Sequence, residues 1–133
     1  MKIIVIGAGM MGRAAAYDMA RSERVQSVTL ADSDEARLGH AIEQLNKLAG
    51  NEKVRAVRFD AADAGAALDV MRGHDGVLSC VPYFYNLGLV KAAIGAGCHF
   101  ADLGGNNSVV QQEFEQELSA QAAGVAIAPD CGL

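Results

Sequence analysis

Three glycines near the start of the chain have the spacing of a phosphate cradle. The segment Gly7-Ala8-Gly9-Met10-Met11-Gly12 follows a short apolar run, Lys2–Ile6, and opens a stretch with helical spacing. In that setting each glycine has its own task. Gly7 permits a tight strand-to-helix turn, Gly9 lets the backbone approach a pyrophosphate, and Gly12 lets the helix pack closely on the strand. The free N–H groups and positive end of the helix, with Met10 and Met11 in its first turn, then hold the phosphates. The hexamer alone is a weak signal; the strand before it and the helix after it make it a dinucleotide loop.

An acid further on sharpens the chemistry. Asp32 closes the second strand, about 20 residues beyond the last glycine, where a carboxylate accepts hydrogen bonds from the ribose hydroxyls of an adenosine. A carboxylate there repels a 2′-phosphate, so NAD is the expected cofactor, with NADP second. Ser33 and Arg37 temper that preference, because an arginine near this position can serve a 2′-phosphate. Asp34 can cap the next helix, which leaves Asp32 free for a ligand.

Ligands of open parallel sheets lie across the C-terminal strand ends, so the other ends are candidates too. The third strand runs into Phe59-Asp60-Ala61. Asp60 either accepts from an adenine amino group, with Ala61 beside it, or simply ends the strand. The fourth ends at Ser79-Cys80-Val81-Pro82-Tyr83, where the Cys80–Pro82 backbone can pass beside ribose and nicotinamide and Pro82 stops the strand. Tyr83 and Tyr85 either line the nicotinamide side or cover the sheet end. Cys80 has no His or Lys beside it and reads as a small buried side chain, not as a nucleophile. The fifth strand ends at Asp102-Leu103-Gly104-Gly105-Asn106-Asn107, and the paired glycines allow a close backbone approach. Asp102 is either a wall residue of the site or a turn former. His40, His74 and His99 read as structural or solvated, the last two at the wrong end of the sheet for chemistry. No pair has metal-ligand spacing, no metal is expected, and no general base stands out, so the catalytic residue stays unassigned.

The elements that must position these residues follow from periodicity. Strand-type runs recur at Lys2–Ile6, Ser27–Ala31, Val54–Arg58, Gly76–Cys80, His99–Leu103 and Val125–Ala128. Helical segments fall between them at Met10–Arg21, Asp34–Leu48, Ala64–Met71, Leu87–Ala96 and Val109–Ala123. Leu38, Ile42, Leu45 and Leu48 mark one helix face, and Val110, Phe114, Leu118 and Ala122 another, with Glu113, Glu115, Gln116 and Gln121 on the remainder. Asp63 and Ser108 stand where N-caps belong; Gly50, Gly73, Gly97 and Gly124 stand where helices stop. Continuous apolar strands alternating with helices predict an α/β doubly wound Rossmann domain. It has six parallel strands in the order 3-2-1-4-5-6 and helices on both faces.

The 133 residues suit a single domain. With 51% hydrophobic and only 5% aromatic residues, the chain favours close helix–sheet packing over a bulky aromatic groove. A net charge of −5 with no Lys/Arg cluster argues against nucleic acid or an anionic membrane as partner. Cys80, Cys98 and Cys131 are odd in number and widely spaced, which reads as reduced thiols. No signal segment or membrane span is read, and the expected compartment is the cytoplasm.

Together these segments resemble the NAD(P)-binding domain of the saccharopine dehydrogenase-like family, especially its lysine 6-dehydrogenase-type members. The likeness rests on Ile4–Gly12, Ala31-Asp32, Asp60 with Asp63, Gly97–Gly105, and Ala123-Gly124-Val125 leading to Pro129-Asp130-Cys131-Gly132. The resemblance implies NAD(P)-linked oxidation of an amine: a hydride leaves the carbon bearing nitrogen and reaches the nicotinamide. It implies an amino-acid or amine substrate, the lysine ε-amino group or a secondary amine joining two amino acids. It also implies a second domain that supplies most substrate contacts and the dimer surface. The sequence stops directly after the sixth strand, which reads either as a stand-alone nucleotide-binding module or as the N-terminal part of a longer protein; this chain is expected to bind cofactor without turning over substrate unaided, and to self-associate, with a homodimer as the simplest form. Two other readings compete: a nucleotide-sensing module like those regulating potassium transport, which the length favours and the DLGG and PDCG segments disfavour, and a methyltransferase domain.

Overall fold

A computed structural model describes residues 1–132 of the chain. Its strands are β1 Lys2–Ile6, β2 Ser27–Asp32, β3 Val54–Arg58, β4 Gly76–Ser79, β5 His99–Asp102 and β6 Ile127–Ala128. Its helices are α1 Met10–Arg21, α2 Glu35–Ala49, α3 Ala64–Met71, α4 Asn86–Ala96, α5 Asn107–Phe114 and α6 Glu117–Ala123, with a 3-10 turn at Tyr83–Tyr85. All strand pairs are parallel and the order is β3-β2-β1-β4-β5-β6. This is the Rossmann arrangement the strand–helix alternation predicts.

β1 shows why the sequence takes this form. Its apolar residues alternate between two cores: Ile4 and Ile6 join the one beneath α3 and α4, Ile3 and Val5 the one beneath α1 and α2. A strand buried on both faces has no polar side to show, hence the unbroken apolar run. Each such side chain contributes about 1.5–3 kcal/mol on burial. Helices end where left-handed glycines stop them, at Gly50, Gly97 and Gly124. Asp63 caps α3 by accepting from the Gly65 and Ala66 amides.

The departures from expectation cluster at the chain's second half. The last helix is two, because the Gln116 amide donates to the Glu113 carbonyl three residues back, which tightens the turn before α6 begins. The residues buried there are Glu113 and Ala120, seven apart and so two turns apart on one face. Phe114 (56% exposed) and Leu118 (79% exposed) instead face outward. A strict four-residue repeat drifts off a 3.6-residue helix, so their regular spacing was not a buried stripe. Leu48 is exposed for a similar reason: ten residues past Leu38 lies roughly 80° off the buried face. Asn106, not Ser108, caps α5, accepting from the amides of Ser108 and Val109.

Candidate functional site

The loop between β1 and α1 is held by its own backbone. Gly7 donates its N–H to the Ala31 carbonyl at 2.7 Å and has φ +103°, which a side chain rarely adopts. A Cβ on Gly7 would also press on the Cys80 carbonyl oxygen at 2.8 Å, and one on Gly12 would overlap the Gly7 carbonyl. These two glycines are therefore required by packing between loop, helix and β4. Gly9 is different. Its backbone is extended and a Cβ there would meet nothing within 4 Å. No contact among the described residues calls for glycine at position 9, and its outer side is open to an approaching group.

The amides beside it are ready for such a group. The first helical bond of α1 runs from the Arg13 N–H to the Gly9 carbonyl at 3.0 Å, and no side chain caps the helix. Among the described residues, the N–H groups of Met10, Met11 and Gly12 have no hydrogen-bond partner, and both methionine side chains are exposed. A loop with open space and unpaired donors at a helix start fits an anionic pyrophosphate.

Asp32 sits behind this loop, only 8% exposed. Its Oδ2 accepts from the Ala8 amide at 2.7 Å, its Oδ1 accepts from the Asp34 amide at 2.9 Å, and the Arg37 guanidinium donates to it at 3.4 Å. The residue is thus a brace for the glycine loop, with lone pairs left for a ligand. It is not wholly free, as the sequence reading had it. Asp34 caps α2 by accepting from the Arg37 amide at 3.0 Å. That backbone bond, followed by the Arg37 charge, lowers the Asp34 pKa.

Beside Asp32 a cavity of about 250 Å³ opens across the ends of β1 to β4. Gly7, Asp32, Ser33, Asp60, Ala61, Val81 and Pro82 line it, so these expected residues meet. Arg37 and Tyr85 line it too, as does Phe59, which its place before Asp60 could have signalled. Asp60 lies exposed and accepts from the Ala62 amide at 2.9 Å. Tyr83 instead packs over Gly105, where a Cβ would come within 3.4 Å of its ring.

The remaining expected residues stand apart from this cavity. Cys80 is half-buried, and burial pushes its thiol up to about 11, which suits a filler and not a nucleophile. Asp102 is fully buried at 0% exposure. Its Oδ1 accepts from the amides of Gly104 at 2.6 Å and Asp130 at 3.2 Å, and its carbonyl accepts from Cys131 at 2.8 Å. Its Oδ1 therefore ties the DLGG turn to the PDCG segment, which is the turn-forming alternative. Leu103 beside it is half-buried, and a Cβ on Gly132 would run into its carbonyl. Sequence reasoning missed the buried pair of Ser79 and Asn86, where the hydroxyl at the end of β4 donates to the side-chain carbonyl at the start of α4 at 2.7 Å. His74 bonds Thr29 and the Met71 carbonyl at the far end of the sheet, and His99 accepts from the Ala126 amide. Among the described residues no group of three His, Cys, Asp or Glu is placed to hold a metal, and no helix is long and apolar enough to cross a membrane.

Fold and loop together define a dinucleotide-binding domain. Residues 3–128 match the model of the saccharopine dehydrogenase NADP binding domain, and the chain belongs to that family. Solved structures agree on the fold. Apo saccharopine dehydrogenase (L-Glu forming) from Saccharomyces cerevisiae is 23% identical, with a TM-score of 0.77 over 99% of this chain and 27% of that one. An NAD binding oxidoreductase from Klebsiella pneumoniae is 26% identical, with a TM-score of 0.65 over 97% and 34%. Quinate dehydrogenase from Corynebacterium glutamicum, solved in complex with NAD, is 23% identical, with a TM-score of 0.67 over 95% and 43%. The chain thus spans between about a quarter and under half of these proteins. It is an NAD(P)-binding domain of the dehydrogenase type, and neither the sensor nor the methyltransferase reading is favoured.

Proposed function

We propose that this chain holds NAD, in preference to NADP, for an enzyme that oxidises the CH–NH group of an amino acid. The observation that carries the cofactor reading is the pairing of an open Gly9 with a buried Asp32 at the adjoining strand end. The bound nicotinamide supplies a hydride acceptor. The chain's own residues do the holding: the first-turn amides of α1 take the pyrophosphate, Asp32 takes ribose hydroxyls, and Asp60 with Ala61 borders the adenine. Arg37 leans on Asp32 and Asp34, so its charge is engaged and less available for a 2′-phosphate. Family membership supports the amine substrate.

The matched proteins are two to four times longer than the matched part, and we assign substrate contacts, the general base and the dimer surface to polypeptide outside this span. On this reading the chain binds cofactor in the cytoplasm without turning over substrate alone. Calorimetric titration with NAD, NADP, ATP and S-adenosylmethionine tests it. NAD binds most tightly, NADP more weakly and the others not at all; ATP binding with neither dinucleotide overturns it. Adding lysine or saccharopine to the NAD-loaded chain produces no reduced cofactor; steady turnover would refute the division of labour.

A further inference from the structure

The least comfortable side chain in the molecule lies far from the cofactor loop. Glu113 on α5 is 2% exposed, and neither of its carboxylate oxygens has a hydrogen-bond partner among the described residues. It lines a groove of about 320 Å³ between α5–α6 and β6, whose apolar walls are Phe114, Ala120, Val125, Ile127 and Pro129. The groups facing it from neighbouring elements are acids. Asp102 closes β5, with its own Oδ2 unpartnered, and Asp130 follows β6. Glu117 on α6 borders the groove and accepts from the Gln121 amide at 3.1 Å. Burial first, then Asp102 and Asp130, raise the Glu113 carboxyl to about 7. No ion pair among the described residues includes it.

A buried carboxyl with both oxygens bare tends to keep its proton, and it holds a charge only when a donor arrives. The groove fixes what that donor must be. Its negative floor calls for a cation. Two bare oxygens on one carboxylate suit the planar fork of a guanidinium better than a single ammonium point. The apolar walls suit the aliphatic stem of such a side chain. The groove also runs along β6, which pairs with β5 on one side and, among the described residues, with no strand on the other. An open strand edge is a template for another extended segment.

We propose that this groove receives an arginine carried on an extended polypeptide segment that adds to the open edge of β6, its guanidinium pairing with Glu113. The partner is a protein strand with arginine on its groove-facing side, and the site is independent of the cofactor.

The test uses the isotopically labelled 133-residue chain and two five-residue peptides, Thr-Val-Arg-Val-Thr with blocked ends and its twin with neutral citrulline for arginine. The arginine peptide moves the amide resonances of Phe114, Val125 and Ile127 and binds at least tenfold more tightly than the citrulline peptide. Glu113→Gln, isosteric and uncharged, abolishes that tenfold preference. Gln121→Lys, an exposed change at the groove mouth, weakens the arginine peptide several-fold while leaving Glu113 in place. Equal binding of the two peptides, or an unchanged preference in Glu113→Gln, overturns the proposal. Butylguanidinium binding as tightly as the peptide overturns the strand and assigns the groove to small organic cations. Self-association that shifts the same resonances and excludes the peptide assigns it to a second copy and also overturns it.

Discussion

Among the described residues, no buried side-chain oxygen or nitrogen at the β1–β2 end of the sheet lacks a partner, whereas near the β5–β6 end three carboxylate oxygens do. Both ends place an acid at the close of a strand. Asp32 accepts from two loop amides and a guanidinium, and lies beside a cavity. Asp102 accepts from two amides on one oxygen only and is sealed in, with Glu113 unpaired nearby. The first end is finished by the domain itself except where the ligand enters. The second leaves buried carboxylate oxygens without a partner among the described residues, and the proposed arginine would answer them.

The largest effect that can break this comparison is at Gly12. A Cβ there has nowhere to go but into the Gly7 carbonyl. Gly12→Ala is expected to cost about 3 kcal/mol or more, read by chemical denaturation. Gly9→Ala should change stability by less than about 0.5 kcal/mol, since its Cβ points into open space. Yet it should weaken dinucleotide binding at least tenfold by calorimetry. If both substitutions cost the same stability, the division between packing glycine and ligand glycine fails.

Next comes Glu113→Gln, which probes the other end. The folded carboxyl titrates near 7 against an ordinary 4.5, so the folded state holds a proton that the unfolded state has lost between those values. Stability therefore falls as pH rises through that window and stays lower above it. Removing the charge should raise stability at pH 8 by on the order of 2 kcal/mol and flatten the slope between pH 4.5 and 7. Denaturant midpoints across that range check it; a destabilised variant with an unchanged slope would mean Glu113 is already paired.

The two ends also differ in how much of them the sequence discloses. The glycine loop, Asp32 and the strand order were readable because local rules agree there: an apolar run, a turn that needs glycine, a helix start and an acid at a strand end. Around β6 the local signals conflicted. The regular spacing of Phe114 and Leu118 resembled a buried stripe, and Glu113 resembled a solvated charge. Which face turns inward was decided by the tightened turn at Gln116 and by the burial of small Ala120 on a helix that packs against α4. Those are tertiary facts. Asp102 was ambiguous for a similar reason: only the return of residues 130 and 131 shows that one of its carboxylate oxygens holds a turn.

Asp32→Ala sharpens the first end. It removes acceptors for the Ala8 and Asp34 amides and should cost about 1–2 kcal/mol of stability. NAD should weaken more than NADP, because only NAD offers both ribose hydroxyls to the carboxylate. Equal loss of the two cofactors, measured by calorimetry, would leave Asp32 as a loop brace alone.

The smallest effect separates the two cap candidates of α5. Asn106 accepts from the Ser108 and Val109 amides at 3.0 and 3.3 Å, while Ser108 is exposed. Asn106→Ala should cost about 1 kcal/mol and Ser108→Ala less than about 0.5. Because the cap fixes where α5 starts, it also fixes which side of the helix carries Glu113 seven residues on. Asn106→Ala should therefore loosen the burial of Glu113 and move its titration back toward the ordinary value, which carboxyl-detected NMR can follow. A titration that stays near 7 would mean that the packing of α5 and α6, and not the cap, holds the acid inside.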